Sequence, residues 1–506
     1  MLKSITVENY RSFRTEAKLQ FRPLTILLGK NSSGKSSLTR LIPLLQQSLE
    51  RQSSSPLLWS SDSVDLGNIS DVVTHSGVGS ELRIGIRVVA PHFHNFSRRM
   101  RYTFLQSFDE AHAEFEYIMR LSAEGIRTKF NGIEIRYGDQ TLEVDWDQAG
   151  QLTALRIDKR NYELGGAAYS VDTKSLFPEI SRVVVKEEIA RSSRGPVFYE
   201  PIRGALAGII HGRTAAEKID FFARSIPFLP RKRAREALLS FPNVVQKKLT
   251  DESVRLISNL SMINDLPQMI RYLSFVVEPI FLGSAYIGPS RASGKRFARL
   301  QELAVDRLDS SGENTAMYVY SLNEEERRSF NDLLVRACGH TISVEESGPG
   351  HVSVKIGRQG QNQFENIADV GFGFSQLVPV IAQLHAVRER NPNGDFFGAG
   401  EALFAVEQPE LHLHPAMQSN LADLFVGAVT SGSKGGRSTK ILVETHSETL
   451  VSQLGVLIAE KQVSQDDIAI YFVNKDEITG QSNLQEVKFN EDGVILDWPS
   501  GFFSAL

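Results

Sequence analysis

The chain has 506 residues, of which 41% are hydrophobic and 23% are charged, and its formal net charge is −4 at pH 7. This length and composition exclude a disordered chain and favour two or three folding units around a large core. The mildly acidic balance excludes a surface coated in positive charge, although a local basic patch could still hold a nucleic acid backbone.

A single cysteine, Cys338, excludes an internal disulfide and a thiolate-rich metal site, which fits a reducing compartment or indifference to redox. The first residues, MLKSITVENYRSF, alternate apolar and polar side chains and do not resemble a secretory signal. No run of about 18 apolar residues occurs that could span a bilayer. We therefore expect a soluble, cytoplasmic protein.

The first forty residues predict a strand from Leu2 to Val7, a strand from Leu24 to Leu28, a glycine-rich loop and a helix that begins near Lys35. From about Glu81 to Leu164, short alternating segments separated by Gly, Asn and Asp turns predict antiparallel strands. From about 178 to 280 the apolar spacing becomes helical and is interrupted by prolines, which predicts a helical insertion.

Beyond this insertion, three apolar runs predict buried strands at 402–406, 440–445 and 468–473, with helical segments between them. We expect the two ends of the chain to form one sheet. The predicted fold class is α/β, with a mixed central sheet, an antiparallel β lobe and a helical insertion. The expected domain boundaries are 1–177 for the first part of the α/β domain with the β lobe, 178–283 for the insertion, and 284–506 for the second part of the α/β domain.

The segment from Gly29 to Ser36, GKNSSGKS, fits the phosphate-binding pattern G-x-x-x-x-G-K-[ST]. Its glycines allow successive backbone N–H groups to converge on phosphate oxygens. Lys35 is expected to reach the β- and γ-phosphates, and Ser36 to bind Mg²⁺. The pattern lies between a predicted strand and a predicted helix, as this mechanism requires. The residues predicted to bind the nucleotide are Gly29, Asn31, Ser32, Ser33, Gly34, Lys35, Ser36 and Ser37.

A phosphate-binding loop of this kind needs a carboxylate at the end of a neighbouring buried strand, opposite the serine hydroxyl. The segment ALFAVEQPELHLHP (402–415) supplies one, because Glu407 directly follows the apolar run. The predicted metal-binding residues are therefore Ser36 and Glu407. Gln408 and Glu410 lie just beyond, where an attacking water would be polarised. The alternative is a strand end with ordinary surface carboxylates.

The order of the motifs resembles the ATPase heads of the ABC superfamily, in the branch with RecF, the structural-maintenance-of-chromosomes heads and the overcoming-lysogenization-defect nucleases. After the phosphate-binding loop come DVGFGFSQLVPV (369–380), VEQPELHLHP (406–415) and VETHSE (443–448), and the opening ITVENYRSF (5–13) resembles the first strand of that branch. This resemblance covers about residues 1–80 and 284–506. It implies an ABC-type head with ATP and Mg²⁺ as ligands.

The resemblance also implies a site shared between two copies. In such heads, a Gly/Ser-rich signature at the start of a helix contacts the γ-phosphate held by the opposite protomer, and a helix N-terminus is an anion site on physical grounds too. The residues that match this signature are Gly371, Gly373, Ser375 and Gln376. His446 matches the switch histidine that contacts the γ-phosphate. We therefore expect a head-to-tail dimer, with higher oligomers possible.

The sequence departs from the superfamily directly after Glu407. Most members carry a glutamate there that orients or deprotonates water, whereas this chain has Gln408. A glutamine can position water but cannot accept its proton, although positioning supplies much of the catalysis of phosphoryl transfer. Either Glu410 substitutes, or slow hydrolysis resets an ATP-held switch. The predicted catalytic residues are Gln408, Glu410 and His446.

Two histidines near this motif have an alternative interpretation. His412 and His414, with Glu410, could bind zinc. The resemblance implies instead that LHLHP is a dimer-contacting loop, with Pro415 opening the next helix, and we prefer this interpretation. A dedicated zinc site is the less favoured hypothesis.

Three further residues are candidates by position. Tyr10 and Arg11 follow the first strand and could contact adenine. Arg291, in the segment YIGPSR, is a cation that could lie beside a phosphate. None of the three receives a firm role from the sequence.

ATPases with such a head, an insertion and no effector domain are similar to the ATPase subunits of the Septu and PARIS anti-phage systems, which assemble with an effector and control it. The overcoming-lysogenization-defect enzymes carry a Toprim nuclease domain, and no counterpart of it is found here. We therefore expect the effector to be a separate polypeptide, and a nuclease is the effector that we favour. Basic runs at 231–235 and 246–248 are the expected contacts for a partner, DNA or a phage component. Their alternative is a solvated helix face.

The sequence thus predicts an ABC-type ATPase subunit that dimerises around ATP and Mg²⁺ and controls an effector in phage defence. One alternative is a DNA-repair or chromosome-maintenance ATPase that acts directly on DNA, which the lack of long coiled-coil segments disfavours. A second alternative is an assembly scaffold with structural ATP, which Gln408 favours.

Overall fold

The computed structural model describes residues 1–51, 53–74, 81–91, 112–163, 168–182, 199–292, 294–300, 305, 308–389, 401–431 and 438–496. Packing divides the chain into two compact units. The first, here called the P-loop unit, comprises residues 2–51, 58–74 and 278–506, and the second, here called the middle unit, comprises residues 1, 52–57 and 75–277. The expected three-part division of the chain stays a prediction.

In the N-terminal part of the P-loop unit, the two predicted strands, the loop and the helix that begins at Lys35 are confirmed. Its elements are β1 (Leu2–Glu8), β2 (Ala17–Gln20), β3 (Leu24–Gly29), α1 (Lys35–Thr39), α2 (Leu41–Glu50) and α3 (Ile69–Val72). β1 and β2 form an antiparallel pair in which Ile5 lies opposite Leu19. Every residue of β3 is buried, as expected of a strand that is covered on both faces.

The middle unit begins with the predicted antiparallel strands. They are β4 (Leu82–Pro91), β5 (His112–Glu124), β6 (Arg127–Tyr137), β7 (Gln140–Trp146), β8 (Leu152–Ile157), β9 (Arg160–Asn161), β10 (Tyr169–Asp172) and β11 (Glu179–Arg182). β4 to β9 pair in sequence order, and β10 pairs with β11. In β7 every second residue is buried, which is the pattern of a strand with one face toward a core. The region predicted as helical from residue 178 therefore starts with a strand, because Val171 of β10 pairs with Ile180.

Helices follow in the middle unit, as predicted. They are α4 (Tyr199–Ile209), α5 (Ala216–Ser225), α6 (Arg231–Leu239), α7 (Asp251–Asn264) and α8 (Leu266–Leu282), whose last residues belong to the P-loop unit. The basic run 231–235 makes internal contacts here: Arg231 forms an ion pair with Asp158, and Arg235 forms one with Asp251 at 2.6 Å. These two arginines of the run are therefore already paired within the unit.

The C-terminal part of the P-loop unit alternates strands and helices. Its elements are β12 (Ala285–Ile287), β13 (Ala298–Arg299), α9 (Thr315–Ser321), α10 (Glu324–Cys338), β14 (His340–Glu346), β15 (His351–Arg358), β16 (Glu365–Asn366), α11 (Phe372–Glu389), β17 (Ala402–Glu407), α12 (Pro415–Thr430), β18 (Thr439–Glu444), α13 (Glu448–Ala459), β19 (Ile468–Lys475), β20 (Ser482–Phe489) and β21 (Ile495–Leu496). The three predicted buried strands are confirmed as β17, β18 and β19. No helix in the described part of the chain has the length and apolar character needed to cross a membrane.

One mixed sheet joins the two ends of the chain, in the order β12-β17-β18-β3-β19-β20-β21. β12, β17, β18, β3 and β19 run parallel, and β20 and β21 complete the edge antiparallel. Because β3 lies between two C-terminal strands, the prediction of a single sheet is confirmed. The carboxyl ends of the parallel strands share one edge, which is where open α/β sheets bind ligands.

Two glycines allow helix α13 to approach the turn between β20 and β21. A Cβ atom on Gly455 would lie 2.4 Å from the carbonyl oxygen of Gly493, and one on Gly493 would lie 1.8 Å from the carbonyl oxygen of Gly455. Gly493 also has a φ of +73°, which favours glycine. The backbone contact leaves no space for a side chain at either position.

We expect Gly455→Ala to lower the free energy of unfolding by about 1–3 kcal/mol, because an added methyl group would force the helix and the turn apart. Thermal or urea unfolding followed by circular dichroism measures the change. Gly427→Ala in α12 is the matched control, since its Cβ would meet only the far end of the Arg336 side chain at 3.5 Å. Equal stability of the two variants would contradict the close approach of α13 to the turn.

Candidate functional site

The loop between β3 and α1 forms the centre of the candidate site. Gly29 and Gly34 have φ values of +151° and +110°, and a Cβ on Gly29 would lie 2.3 Å from the carbonyl oxygen of Val473. Lys35 is buried, and its Nζ donates to the carbonyl oxygens of Gly29 and Lys30 at 2.9 and 2.8 Å. Burial lowers the pKa of Lys35, which nearby carboxylates oppose. The glycine backbone and the ammonium group together suit a phosphate.

The segment that follows β1 packs beneath this loop. Tyr10 is fully buried and donates a hydrogen bond to the carbonyl oxygen of Ser37 at 3.1 Å. The ring of Phe13 lies 3.1 Å from where a Cβ on Gly34 would be. Arg11 donates to the carbonyl oxygen of Leu66 at 3.3 Å. Tyr10 therefore supports α1 and has no open ring face for adenine, which does not suit its candidate role.

A serine of the C-terminal strands supports the same loop. The Oγ of Ser482, the first residue of β20, donates to the carbonyl oxygen of Ser33 at 2.5 Å and lies 2.7 Å from the Oγ of Ser12. The backbone N–H of Ser482 donates to the carbonyl oxygen of Ser12 at 2.8 Å. Sequence reasoning missed Ser482, because a serine at a strand start carries no signal of its own.

The predicted metal carboxylate, Glu407, ends strand β17 and is almost fully buried. Its Oε1 accepts hydrogen bonds from Arg40 Nε at 2.8 Å and from the Tyr286 hydroxyl at 2.7 Å, and its Oε2 accepts one from Arg40 Nη2 at 3.0 Å. The structure thus brings Glu407 to the site but pairs it with an arginine. Its role as a metal ligand stays a prediction.

A second carboxylate, Glu444, faces the serine of the loop. It ends β18 in register with Glu407, and its Oε1 accepts a hydrogen bond from Ser36 Oγ at 2.7 Å. Its Oε2 accepts one from Thr39 Oγ1 at 3.2 Å. Burial, and then the charge of Glu407, raise the pKa of Glu444 to about 7. The sequence analysis assigned a role to the histidine of VETHSE, His446, but none to this glutamate.

Gln408 occupies a constrained turn after β17. Its φ is +45°, which is uncommon for a residue other than glycine, and its N–H donates to the carbonyl oxygen of Glu444 at 2.7 Å. Arg291 Nη2 donates to the carbonyl oxygens of Glu407 and Gln408 at 2.5 and 3.1 Å. Burial lowers the pKa of Arg291 to about 10. Arg291 therefore holds the backbone of the turn, which gives it a position that the sequence left open.

Glu410 and His446 lie side by side in the same region. Glu410 Oε1 accepts a hydrogen bond from the N–H of His446 at 2.7 Å. Glu410 Oε2 and His446 Nε2 are buried atoms that have no hydrogen-bond partner among the described residues. Burial raises the pKa of Glu410, and burial followed by the charge of Lys35 lowers that of His446. Such unsatisfied buried atoms are expected where a polar ligand binds.

The predicted signature lies at the start of α11. Gly371 and Phe372 are exposed, whereas Ser375 and Gln376 are buried, and Ser375 Oγ donates to the carbonyl oxygen of Phe372 at 2.7 Å. Gly373 packs closely, because a Cβ there would lie 2.7 Å from the carbonyl oxygen of His412. It stays a prediction that these four signature residues contact a second protomer.

The two histidines of LHLHP have contacts of their own. The His412 ring lies 4.8 Å from the ring of Phe372, between centroids. His414 Nδ1 accepts the N–H of Ala416 at 3.3 Å and caps α12, which begins at Pro415 as predicted. In the described part of the chain, no three His, Cys, Asp or Glu side chains gather into a metal site.

The oxygens near Ser36 suit a hard divalent cation such as Mg²⁺. This ion prefers hydroxyl, carboxylate and water oxygens and takes part of its shell from substrate phosphates. The Ser36 hydroxyl lies 2.7 Å from a Glu444 carboxylate oxygen, beside the loop that suits phosphate. The residues present therefore fit a phosphate-bound Mg²⁺.

Comparison with known proteins gives a family for the chain. The family model described as "AAA domain, putative AbiEii toxin, Type IV TA system" matches residues 24–452. A second model, described as "Protein of unknown function (DUF3696)", matches residues 463–504. No curated protein sequence matches the chain.

Solved structures with some likeness to the chain include heads of Smc proteins. An SmcHead bound to the C-winged helix domain of ScpA is 11% identical with a TM-score of 0.37, and the match covers 96% of this chain and 97% of that one. An Smc head with an extended coiled coil, bound to the C-terminal domain of ScpA from Pyrococcus furiosus, is 13% identical with a TM-score of 0.36 and 96% coverage of each chain. The SMC head from Thermotoga maritima is 9% identical with a TM-score of 0.36, covering 96% and 99%. Likeness at this level carries no argument about function.

We expect Ser482→Ala to weaken nucleotide binding about fivefold, because the loss of one buried hydrogen bond to the loop costs about 1 kcal/mol. Isothermal titration with ATP measures this affinity. Ser452→Ala, at an exposed position of α13, is the control and should leave the affinity unchanged. Wild-type affinity in Ser482→Ala would contradict a supporting role for β20.

Proposed function

We propose that the chain, which belongs to the AAA-domain family whose model matches residues 24–452, is an ABC-type ATPase subunit that controls a separate effector. It binds ATP with Mg²⁺, hydrolyses ATP slowly and works as a dimer. The observation that carries the proposal is the convergence of Lys35, Ser36, Glu444 and Glu407 at the carboxyl ends of parallel strands. Such a convergence is what phosphoryl transfer from a nucleotide requires.

Binding of the nucleotide depends on the loop and on the first residues of α1. Backbone N–H groups of the glycine-rich loop bind the phosphates, and Lys35 turns from the carbonyl oxygens of Gly29 and Lys30 to phosphate oxygens. Ser36 and a carboxylate hold the metal. When bound, Mg²⁺ neutralises charge on the phosphates and orients them.

Hydrolysis needs a water that is both positioned and deprotonated. The turn at Gln408, fixed by Arg291 and by the backbone of β18, holds the glutamine amide where it orients this water. The buried Glu410 accepts the proton at its free Oε2, because its raised pKa makes it a stronger base than an exposed carboxylate. His446, kept neutral by burial, donates from Nε2 to a γ-phosphate oxygen.

A second copy of the chain completes each site. Helix α11 begins beside Gly371, with its positive dipole end at this position, and Phe372 exposes 51% of its surface there. A large exposed apolar side chain next to an anion site suits a protein interface. In this proposal Gly371, Gly373, Ser375 and Gln376 of one copy serve the γ-phosphate bound by the other.

The biological setting is defence against phage, in the cytoplasm. The description of the matched family names a toxin of a Type IV toxin–antitoxin system, and the motif order is similar to that of the Septu and PARIS ATPase subunits. A nuclease is the proposed effector, and DNA or a phage component is a further partner in this proposal. Ion pairing of Arg231 and Arg235 leaves the basic run 231–235 less free charge for a nucleic acid backbone, in this proposal and in the DNA-repair alternative alike.

We expect the wild type to hydrolyse ATP slowly and Lys35→Ala to lower the rate by about 100-fold or more, because loss of a cation at the phosphates removes transition-state stabilisation. Steady-state phosphate release, measured together with oligomer mass by light scattering, tests both rate and dimer. Lys488→Ala, at an exposed position of β20, is the control. Wild-type turnover in Lys35→Ala would overturn the proposed ATPase site.

We expect Gln408→Glu to raise the hydrolysis rate and Glu410→Gln to lower it, each by about 100-fold or more, since a general base contributes 10²–10⁴-fold. The wild-type rate should fall as pH decreases through the raised pKa of Glu410, because only its ionised form accepts a proton. Single-turnover quenched-flow assays over pH 5–9 measure these rates. Undetectable turnover with one tightly bound ATP per chain would instead favour the scaffold alternative.

A further inference from the structure

Two buried carboxylates end neighbouring strands at the site, and the strand order gives them different surroundings. β18 lies between β17 and β3, so that Glu444 is opposite Glu407 on one side and Leu27 on the other. Adjacent strands are about 4.8 Å apart. The backbone of Glu444 is therefore one strand spacing from β3, which leads into the phosphate loop, and that of Glu407 is two.

Glu407 is already bound by two other side chains. Arg40 donates a hydrogen bond to each of its carboxylate oxygens, at 2.8 and 3.0 Å, and the Tyr286 hydroxyl donates to Oε1 at 2.7 Å. Bidentate pairs of arginine and carboxylate are among the strongest hydrogen-bonded contacts in proteins. A metal ion bound by Glu407 would compete with this guanidinium group for the carboxylate oxygens, whereas burial does not separate the two glutamates, since Glu407 is 1% exposed and Glu444 is 2% exposed.

Glu444 points instead at the first turn of α1. Its two oxygens accept hydrogen bonds from the hydroxyl groups of Ser36 and Thr39 at 2.7 and 3.2 Å. Lys35 lies near enough for its charge to lower the pKa of Glu444, but it donates its own hydrogen bonds to two loop carbonyl oxygens. A cation that takes the Ser36 oxygen is then within reach of Glu444, directly or through one water.

We propose that Glu444, together with Ser36, is the carboxylate that holds the Mg²⁺ of the bound nucleotide, while Arg40 and Tyr286 keep Glu407 in a positioning role at the base of the Gln408 turn. This inference rests on the proposed function, because it concerns the metal of the same site. It moves the metal carboxylate from the strand end that the sequence predicts to the neighbouring one.

Binding of Mn²⁺ tests the assignment without any need for turnover. The full chain, in excess over a non-hydrolysable ATP analogue, is titrated with Mn²⁺ while electron paramagnetic resonance records the free ion. We expect Glu444→Gln to weaken Mn²⁺ binding to the complex about 10- to 100-fold, as is usual when a group that supports a metal is lost. Glu407→Gln should weaken it by less than about threefold, a change under 1 kcal/mol.

Three controls make the comparison specific. Glu448→Gln, at the exposed first residue of α13, should behave as the wild type. Thermal unfolding without nucleotide shows whether each variant folds. Glu444→Asp, which keeps the charge but shortens the side chain, replaces Glu444→Gln if that variant unfolds, and it too should weaken Mn²⁺ binding.

The outcomes separate this inference from the proposed function. If Glu407→Gln loses more Mn²⁺ affinity than Glu444→Gln, the assignment of the metal to Glu444 is wrong, and the ATP site stands as long as both variants bind the analogue in EDTA. If the wild type binds the analogue neither with Mn²⁺ nor in EDTA, the proposed function fails, and this inference fails with it.

Discussion

The parallel pairing of β3 with β18 is the contact on which the rest of the site depends. It sets Leu27 opposite Glu444 and, through β17, sets Glu444 opposite Glu407. A shift of one residue in this register would turn each of these side chains to the other face of the sheet. The loop with Lys35 and Ser36 leaves β3 at the same edge, so one register fixes where phosphate, metal and water can lie relative to each other.

Buried charged side chains lie at both ends of these strands. Near their amino ends, Glu401 Oε1 lies 2.7 Å from Lys440 Nζ, and Glu401 Oε2 accepts the backbone N–H of Leu2 at 2.6 Å. At the carboxyl ends, Arg40 neutralises Glu407, while Glu410 and His446 keep buried atoms that no described residue satisfies. A buried charge is costly unless it is paired. Each end of these strands thus pairs a buried carboxylate with a cation, Glu401 with Lys440 and Glu407 with Arg40.

Much of this architecture could be predicted from local sequence patterns. The apolar runs located β3, β17, β18 and β19, and the glycine spacing located the phosphate loop, because both features depend on neighbours in the sequence. Glu444 was missed because its importance depends on strand order: nothing in the sequence states that β18, and not β17, lies beside β3. Ser482 and Arg40 act through partners hundreds of residues away, at Ser33 and Glu407. A count of charges in the basic run 231–235 likewise does not show that Arg231 pairs with Asp158, which lies 73 residues earlier in the chain.

The position of β3 between two C-terminal strands also has a consequence for synthesis of the protein. β3 is complete at Gly29, but its neighbour β18 begins at Thr439, about 410 residues later, and β19 follows at Ile468. At about 5–20 residues per second, a ribosome takes about 20–80 s to cover that distance. During this interval the apolar strand β3 has no partner strand on either edge, and an unpaired apolar strand is prone to aggregation. The nascent chain therefore depends on chaperones, or on temporary cover by its own later segments, until the ribosome has released β18 and β19.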